Sequence, residues 1–158
     1  MIDAKKKKGR YARVYDQLNS LLKPYSNQIA AMSTIASVLH HKFDYFFWTG
    51  FYLLTDGELI VGPYQGSVAC IKLKMDTGVC WAGINRKETI IVPDVHKFPG
   101  HIACDSLSNS EIVVPLKDQS GKIIGVLDVD SKALNAFDEE DKIGLERIAE
   151  LVYRKVIK

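Results

Sequence analysis

The three cysteines are the residues of this chain most able to carry out chemistry, and they stand at Cys70, Cys80 and Cys104. A cysteine thiolate is a nucleophile, and a nearby imidazolium or a cluster of backbone N–H groups lowers the pKa of the thiol. Cys104 has the most favourable surroundings, because it lies in an irregular segment and His101 shortly precedes it. The sequence has no CxxC pair, which argues against a thioredoxin-type motif or a zinc ribbon. Free cysteines are also among the most buried residue types, so inert thiols are an alternative.

The histidines close to Cys104 raise the alternative of a metal site. His96, His101 and Cys104 fall in one segment, and Cys70 or Cys80 would complete a set of four ligands. The spacing His-x4-His-x2-Cys does not match the patterns typical of zinc sites. We therefore expect no metal site here.

Three carboxylates and two aromatic residues form the second group of candidates. Asp128 and Asp130 are two residues apart in a predicted strand, so their side chains share a face, and Glu111 begins another strand. Two acids on one face, close to a third, suit the binding of an ammonium group or the transfer of a proton. A solvated strand face would give the same pattern. Trp48 and Tyr52 share a face of an earlier strand, where aromatic side chains form core or wall an apolar pocket.

The hydrophobic pattern predicts helices at both ends of the chain, with strands between them. The predicted helices are 11–22, a second from Ser26 or Asn27 to about 40–43, a short one at 77–85, and 138–156 with Ile143 on its apolar face. The predicted strands are 46–55, 58–62, 69–75, 89–92, 111–116 and 122–129, with a hairpin turn at Asp56-Gly57. Segment 94–110 is predicted to be a long irregular loop, of a kind that is often functional. This order indicates an α+β fold whose sheet is mainly antiparallel and whose terminal helices pack on one face.

Composition excludes several classes of protein. Hydrophobic residues make up 47% and charged residues 25%, as in a globular domain, and no apolar run reaches the roughly 18 residues of a membrane helix. The net charge of +2 favours neither a nucleic-acid partner nor a strongly acidic one. We interpret the basic cluster Lys5–Lys8 with Arg10 as part of a solvated leader, residues 1–10, before a single domain over 11–158. The N-terminus has no apolar signal segment, so the predicted location is cytoplasmic.

Five segments of the sequence together resemble one protein family. They are WTGFYLL, GPYQGSVACIKL, GVCWAG, VPDVHKFPGHIACDSLSNSEIVVPL and GVLDVDS, and they span Trp48 to Ser131. This combination resembles the free methionine-(R)-sulfoxide reductases, which are built on a GAF domain, and the segment 92–116 is the most specific. The resemblance implies a central antiparallel sheet of about six strands, with helices on one face and a pocket on the other.

The resemblance also implies an activity, namely reduction of the R epimer of free methionine sulfoxide rather than of sulfoxide within proteins. Cys104 matches the family's nucleophile, and Cys70 the cysteine that then forms a disulfide with it. Cys80 matches a third cysteine that assists recycling or relays the disulfide. Thioredoxin would restore the thiols, so no bound cofactor is implied. GAF domains often pair through their helices, which makes a homodimer compatible with the resemblance.

The remaining candidates match the family's substrate-binding residues. The acids Glu111, Asp128 and Asp130 would hold the substrate ammonium and protonate the sulfoxide oxygen, which requires at least one raised pKa among them. Trp48 and Tyr52 would enclose the S-methyl group. Backbone N–H groups of Ile102, Ala103 and Cys104 would receive the carboxylate. One departure from the family pattern is Trp81, beside Cys80, where the family usually has a smaller residue.

Two other readings belong to different classes of function. GAF domains often act as sensors that bind a small ligand and regulate an output domain, but here the pattern of the closing helix runs almost to the end of the chain. The Cys-His pair by which some GAF photoreceptors hold a bilin is absent from the sequence. A thiol redox switch, in which the disulfide itself is the signal, is the other reading.

Overall fold

The computed structural model describes residues 2–101 and 104–154, which form four α-helices and six strands. The helices are α1 (Ala4–Leu22), α2 (Gln28–Lys42), α3 (Gly78–Arg86) and α4 (Glu139–Ala149). The strands are β1 (Trp48–Thr55), β2 (Glu58–Gln65), β3 (Lys72–Leu73), β4 (Ile90–Val92), β5 (Ser110–Lys117) and β6 (Ile123–Ser131). Short 3-10 helices cover Val95–Lys97 and Glu150–Val152.

The strands form one antiparallel sheet in the order β3-β2-β1-β6-β5-β4. The predicted α+β class and antiparallel sheet are therefore confirmed. The hairpin between β1 and β2 turns at Asp56 and Gly57, whose φ angles are 52° and 80°. Both residues lie in the left-handed region that a tight hairpin turn requires, and Asp-Gly is a favoured pair for it.

The two faces of the sheet have different roles, and β6 shows how the sequence assigns them. Leu127 and Val129 are buried against the helices, whereas Asp128 and Asp130, which alternate with them, point to the other face. Helices α1, α2 and α4 cover the first face with a core that includes Leu18, Ile35 and Leu145. The prediction that the terminal helices pack on one face is confirmed. The second face carries a smaller apolar cluster, with α3 packed over it.

The first helix begins earlier than the pattern predicted, at Ala4 rather than at Tyr11. Asp3 caps it by accepting a hydrogen bond from the backbone N–H of Lys6. Lys7 is buried and donates to Asp141 Oδ2 at 2.6 Å, so the prediction of a solvated basic cluster is wrong at this residue. Tyr11 and Tyr45 also donate to this carboxylate, at 2.8 and 2.7 Å. The cation is tolerated in the interior because it is paired there.

Two further elements differ from prediction. The third strand covers only Lys72–Leu73 rather than 69–75, because the chain before it turns over the second face of the sheet. The last α-helix ends at Ala149 and continues as a 3-10 turn, and the end of the predicted helix lies outside the described residues. Ile143 was expected on the apolar face of this helix but is 48% exposed. No helix among the described residues is long and apolar enough to cross a membrane.

Candidate active site

A cavity of about 210 Å³ lies on the face of the sheet opposite α1, α2 and α4. Strands β1, β5 and β6 form its floor, the first turn of α3 forms one wall, and two loops close its mouth. One loop is 66–71, between β2 and β3, and the other side of the mouth is formed by His101 and by residues within 104–108, before β5. All eight predicted site residues that the structure describes line this cavity: Trp48, Tyr52, Cys70, Cys80, Cys104, Glu111, Asp128 and Asp130.

The register of the strands explains why the acids meet. Glu111 on β5 is paired with Asp130 on β6, which is paired in turn with Trp48 on β1. In the next row across the same face, Asp128 lies opposite Gly50. Paired residues in neighbouring strands point to the same face, so this register collects three carboxylates on the floor of the cavity. The interpretation of Asp128 and Asp130 as a solvated strand face is therefore wrong, since both line the cavity.

Two of the three cysteines form a disulfide across the mouth of the cavity. Cys70 and Cys104, which are 34 residues apart, are joined with their Cα atoms 5.6 Å from each other. Cys70 is half-buried and Cys104 is exposed, so the bond lies at the surface between the two loops. The sequence left open whether the cysteines were inert, metal-binding or reactive. The structure joins the two cysteines that the family resemblance paired.

Cys80 is a free thiol at the bottom of the cavity, beside the acids. Its Sγ lies 4.0 Å from Glu111 Oε1, and the sulfur and one oxygen each of Glu111 and Asp128 all lie within 4.8 Å of one another. Burial raises the pKa of this thiol well above its ordinary value, and the charges of Asp128 and Glu111 raise it further. Cys80 is therefore a neutral thiol at physiological pH. The close spacing of these atoms is also one that would accept a cation.

The carboxylates share a strong tendency to hold protons. Burial raises the pKa of Glu111 and of Asp130 well above their ordinary values, and the charge of Asp128 raises both further. Burial raises the pKa of Asp128 to about 6, although hydrogen bonds with Glu111 and Cys80 act to lower it. Three buried acids this close cannot all be ionised, so the cluster holds protons at neutral pH. It can donate a proton and still present a negative charge.

An aromatic wall stands next to the acids. Trp48 stacks on Tyr52, with ring centroids 5.8 Å apart, and on Tyr64 at 5.2 Å. The Trp48 indole N–H donates to Ser67 O, and the Tyr52 hydroxyl donates to the carbonyl oxygen of Cys70. A Cβ atom at Gly50 would lie 2.7 Å from the indole ring, so only glycine leaves room for this stack. The aromatic rings form a flat, apolar wall, and the stacking and the two hydrogen bonds hold it in place.

Three buried polar atoms of the described residues have no hydrogen-bond partner, and all three belong to residues that line the cavity. They are Ser67 Oγ, His101 Nε2 and Asp128 Oδ1. Polar atoms of native interiors are usually paired, so these three give the cavity hydrogen-bonding groups that are free to bind a polar ligand or water. Burial and the charge of His96 lower the pKa of His101, so its ring is neutral rather than the imidazolium considered from sequence.

The structure gives a mixed outcome for the other sequence candidates. Ile102 and Ala103 lie outside the described residues. The ring centroids of His96 and His101 are 6.5 Å apart, and Cys104 is held in the disulfide. Trp81, the departure from the family pattern, is buried and donates to Leu73 O at 3.4 Å.

Two contributors were missed by sequence reasoning. Tyr64 extends the aromatic wall, and Ser67 brings a polar atom to the cavity. The predicted strand 58–62 ends before both residues, whereas the strand in the structure continues to Gln65. The alternation of Val61, Pro63 and Gln65 with Tyr64 between them was the signal that the strand continues.

The known proteins that are similar to this chain have the same kind of fold. The GAF domain family model covers residues 30–153. GAF domain-containing protein A of Dictyostelium discoideum is 49% identical over 147 residues, 92% of this chain and 92% of that protein. Free methionine-R-sulfoxide reductase of Escherichia coli is 40% identical over 138 residues, 87% of this chain and 83% of that protein. The X-ray structure of free methionine-R-sulfoxide reductase from Neisseria meningitidis in complex with its substrate has a TM-score of 0.88 at 40% identity, covering 96% of this chain and 89% of that one.

The six-stranded antiparallel sheet, with helices on one face and a cavity on the other, is that of a GAF domain. The identity of the matched region to free methionine-R-sulfoxide reductases narrows the assignment. The chain belongs to the family of free methionine-R-sulfoxide reductases, as its motifs predicted.

Proposed function

We propose that this protein reduces free methionine-(R)-sulfoxide to methionine in the cavity on the second face of the sheet. The observation that carries the proposal is the disulfide between Cys70 and Cys104 at the mouth of a cavity whose floor is a buried acid cluster. A sulfoxide reductase needs two thiols that can be oxidised together and a source of protons for the departing oxygen. Both are found in one cavity, in a chain that is 40% identical to the Escherichia coli reductase.

The acid cluster supplies two different interactions in this proposal. The substrate ammonium binds at Asp128, whose buried Oδ1 has no partner within the protein. The sulfoxide oxygen takes a hydrogen bond, and then a proton, from Glu111 or Asp130, whose raised pKa values keep them protonated. The aromatic wall of Trp48 and Tyr52 packs against the S-methyl group. The carboxylate site predicted at the N–H groups of Ile102, Ala103 and Cys104 stays a prediction.

The redox steps follow from the pairing of the cysteines. The Cys104 thiolate attacks the sulfoxide sulfur, the oxygen is transferred to the cysteine as sulfenic acid, and methionine leaves. The Cys70 thiol then attacks the Cys104 sulfur. The disulfide forms, and the oxygen leaves as water after it has taken up a second proton. In sum, two thiols and a sulfoxide give a disulfide, a thioether and water. Thioredoxin, as reductant, returns the disulfide to two thiols.

Cys80 has a more limited place in this scheme. The resemblance implies that it assists recycling, and that role stays a prediction. In the disulfide form it is buried and neutral, with Glu111 as its neighbour, so it cannot act as a thiolate without a change in its surroundings. A neutral thiol at this position donates weakly to the carboxylate oxygen and keeps the bottom of the cavity compact.

The same groups account for a preference for the free amino acid. A peptide-bound methionine sulfoxide has no ammonium group, so Asp128 would stay without its partner and its burial would be uncompensated. Sites that are built to satisfy a polar group discriminate strongly against a substrate that lacks it. We expect low activity on an internal methionine sulfoxide, and comparable rates on the free amino acid and on a capped peptide would contradict this.

The activity is tested by NADPH consumption with thioredoxin and thioredoxin reductase, in which the separated R and S epimers of free methionine sulfoxide are the substrates. Turnover of the R epimer alone is the expected result. Absence of turnover with either epimer, in fully reduced protein, would refute the proposal. Binding without turnover would then indicate a sensor, and disulfide formation with peroxide alone would indicate a redox switch.

Three matched cysteine variants test the roles. Cys104→Ser should abolish turnover, because the nucleophile is lost. Cys70→Ser should form one equivalent of methionine and then stall with thioredoxin, since no disulfide can close. Cys80→Ser keeps the cysteine pair and the size of the side chain, so it should still form methionine, and slower recycling with thioredoxin alone would support the role that the resemblance implies. If Cys104→Ser retains its rate while Cys80→Ser loses it, the nucleophile is assigned wrongly.

A further inference from the structure

Exposed apolar side chains are unusually concentrated around the disulfide. Nine large hydrophobic residues are exposed in the described part of the chain, and four of them lie within 68–75 or 104–107, the segments that carry the two cysteines. These four are Val68, Ile71, Met75 and Leu107, and we refer to them as the collar. Val68 is 83% exposed and Ile71 69%. Such a concentration is typical of a surface that another molecule covers.

The collar residues are joined to the cavity through their neighbours. Val68 itself lines the mouth, and Ile71 stands between Cys70 and Lys72, both of which also line it. Met75 follows Lys74, and Leu107 precedes Ser108, which are again lining residues. The apolar surface therefore borders the disulfide from both loops.

We propose that the collar is the docking surface for the protein dithiol that reduces the Cys70–Cys104 disulfide. This inference rests on the proposed function in one respect, since that function requires a reductant. A macromolecular partner must bring its own thiolate to a sulfur at the mouth, and it must cover the residues beside that sulfur to do so. Because the collar residues lie within five residues of the cysteines in sequence, we expect a protein whose thiol reaches the disulfide to contact them.

The reaction at this surface balances without a further reagent. One thiolate of the partner attacks a sulfur of the disulfide, so that a mixed disulfide forms and the other cysteine leaves as a thiolate. The second thiolate of the partner then attacks the mixed disulfide, which releases the remaining cysteine. The partner is oxidised to its own disulfide, and its two electrons end on Cys70 and Cys104.

The chemistry of the collar favours a protein over a small thiol such as glutathione. A hydrophilic tripeptide gains little from four exposed apolar side chains, whereas a protein surface with an apolar centre buries them together. The lysines Lys72 and Lys74 lie beside the collar and give it a basic margin, which complements an acidic margin on the partner. Lys72 forms a salt bridge with Glu58, so Lys74 provides most of the positive charge at this margin.

The test measures reduction of the isolated disulfide and needs no methionine sulfoxide. Protein oxidised with diamide is mixed with excess reduced thioredoxin, and the rate constant is compared with that for dithiothreitol. Ile71→Glu should lower the thioredoxin rate constant by about tenfold, the effect of losing one central interface residue, and leave the dithiothreitol rate within about twofold. Leu107→Glu on the other loop should behave in the same way.

Ile29→Glu is the matched control, because Ile29 is 67% exposed and stands on α2, on the opposite side of the sheet. It should leave both rate constants unchanged. Three results would overturn the proposal: full thioredoxin rates in both collar variants, equal slowing with dithiothreitol, or equal slowing in the control. A dimer that the collar variants convert to a monomer would also overturn it, since a second copy would then cover the surface. Because substrate is absent, failure of the proposed activity leaves this result unaffected.

Discussion

Replacing Asp128 by asparagine should stabilise the protein at high pH while it removes a substrate contact. Burial raises the pKa of this carboxyl from its ordinary value of 3.8 to about 6. The folded state therefore binds the proton more tightly than the unfolded state does. As pH rises from the unfolded to the folded pKa, the native protein loses stability that it had when the acid was neutral. Asparagine has the shape of the protonated acid and cannot ionise.

The magnitude follows from the difference between the two pKa values, which corresponds to about 3 kcal/mol at 1.36 kcal/mol for each pH unit. Above pH 7 the variant should thus exceed the parent by up to about 3 kcal/mol, and the two should converge below pH 4. Loss of the charge at position 128 also removes one cause of the raised pKa of Glu111. That change acts in the same direction. In melting temperature the gain is about 6–12 °C for a chain of this size.

The assay is urea unfolding of the oxidised protein at pH values from 4 to 8, so that the disulfide is the same throughout. Asp118→Asn is the control of opposite sign. Hydrogen bonding to the Ser120 hydroxyl and backbone lowers the pKa of this exposed turn residue, so its variant should lose stability above the ordinary pKa. A parent whose stability does not fall between pH 4 and 8, or an Asp128→Asn variant that is less stable at pH 8, would refute the reasoning.

Three further predictions concern the scaffold and the thiols. Lys7→Met should cost about 3 kcal/mol in urea unfolding, because it leaves a buried carboxylate without its cation, whereas Lys8→Met, at an exposed neighbour, should change stability by no more than about 0.5 kcal/mol. Equal effects would mean that the pair is not buried. Gly144→Ala should destabilise by about 1–3 kcal/mol in thermal melts, since its Cβ would lie 2.3 Å from the Tyr11 ring, and an unchanged melting temperature would contradict the contact between α1 and α4. Oxidised protein, once unfolded, should titrate one thiol, and the Cys80→Ser variant none; any other count would contradict the pairing.

Much of the fold was predictable because the relevant signals are local. The alternation in β5 and β6, the Asp56-Gly57 turn and the cap at Asn27 each depend on a few adjacent residues. These local signals predicted where helices and strands lie and which side of each strand is buried. The position of Asp128 and Asp130 on one face also followed from local alternation, but that this face lines a cavity depends on which strands are neighbours.

The errors arose where a distant partner decides the outcome. Lys7 is buried because Asp141 lies at the other end of the chain, and a cluster of lysines gives no sign of that. The alternating pattern of 69–75 is that of a strand, but only Lys72–Leu73 is one, and Cys70 just before it is joined to the distant Cys104. The resemblance to a family supplied the cysteine pairing, which periodicity could not provide.

The alternating faces of β6 have a consequence for how this protein can change over evolutionary time. Selection for a stable core acts on Leu127 and Val129, whereas selection for chemistry acts on the residues that alternate with them, Asp128 and Asp130. Neighbouring positions in one strand are thus separate targets of mutation, although the buried charge of Asp128 also affects stability. A lineage can exchange the cavity residues for those of another ligand and keep its scaffold, or adapt its scaffold to a new temperature without disturbing the cavity. Because one face of the sheet forms the core and the other lines the cavity, a single substitution can change mainly one of the two.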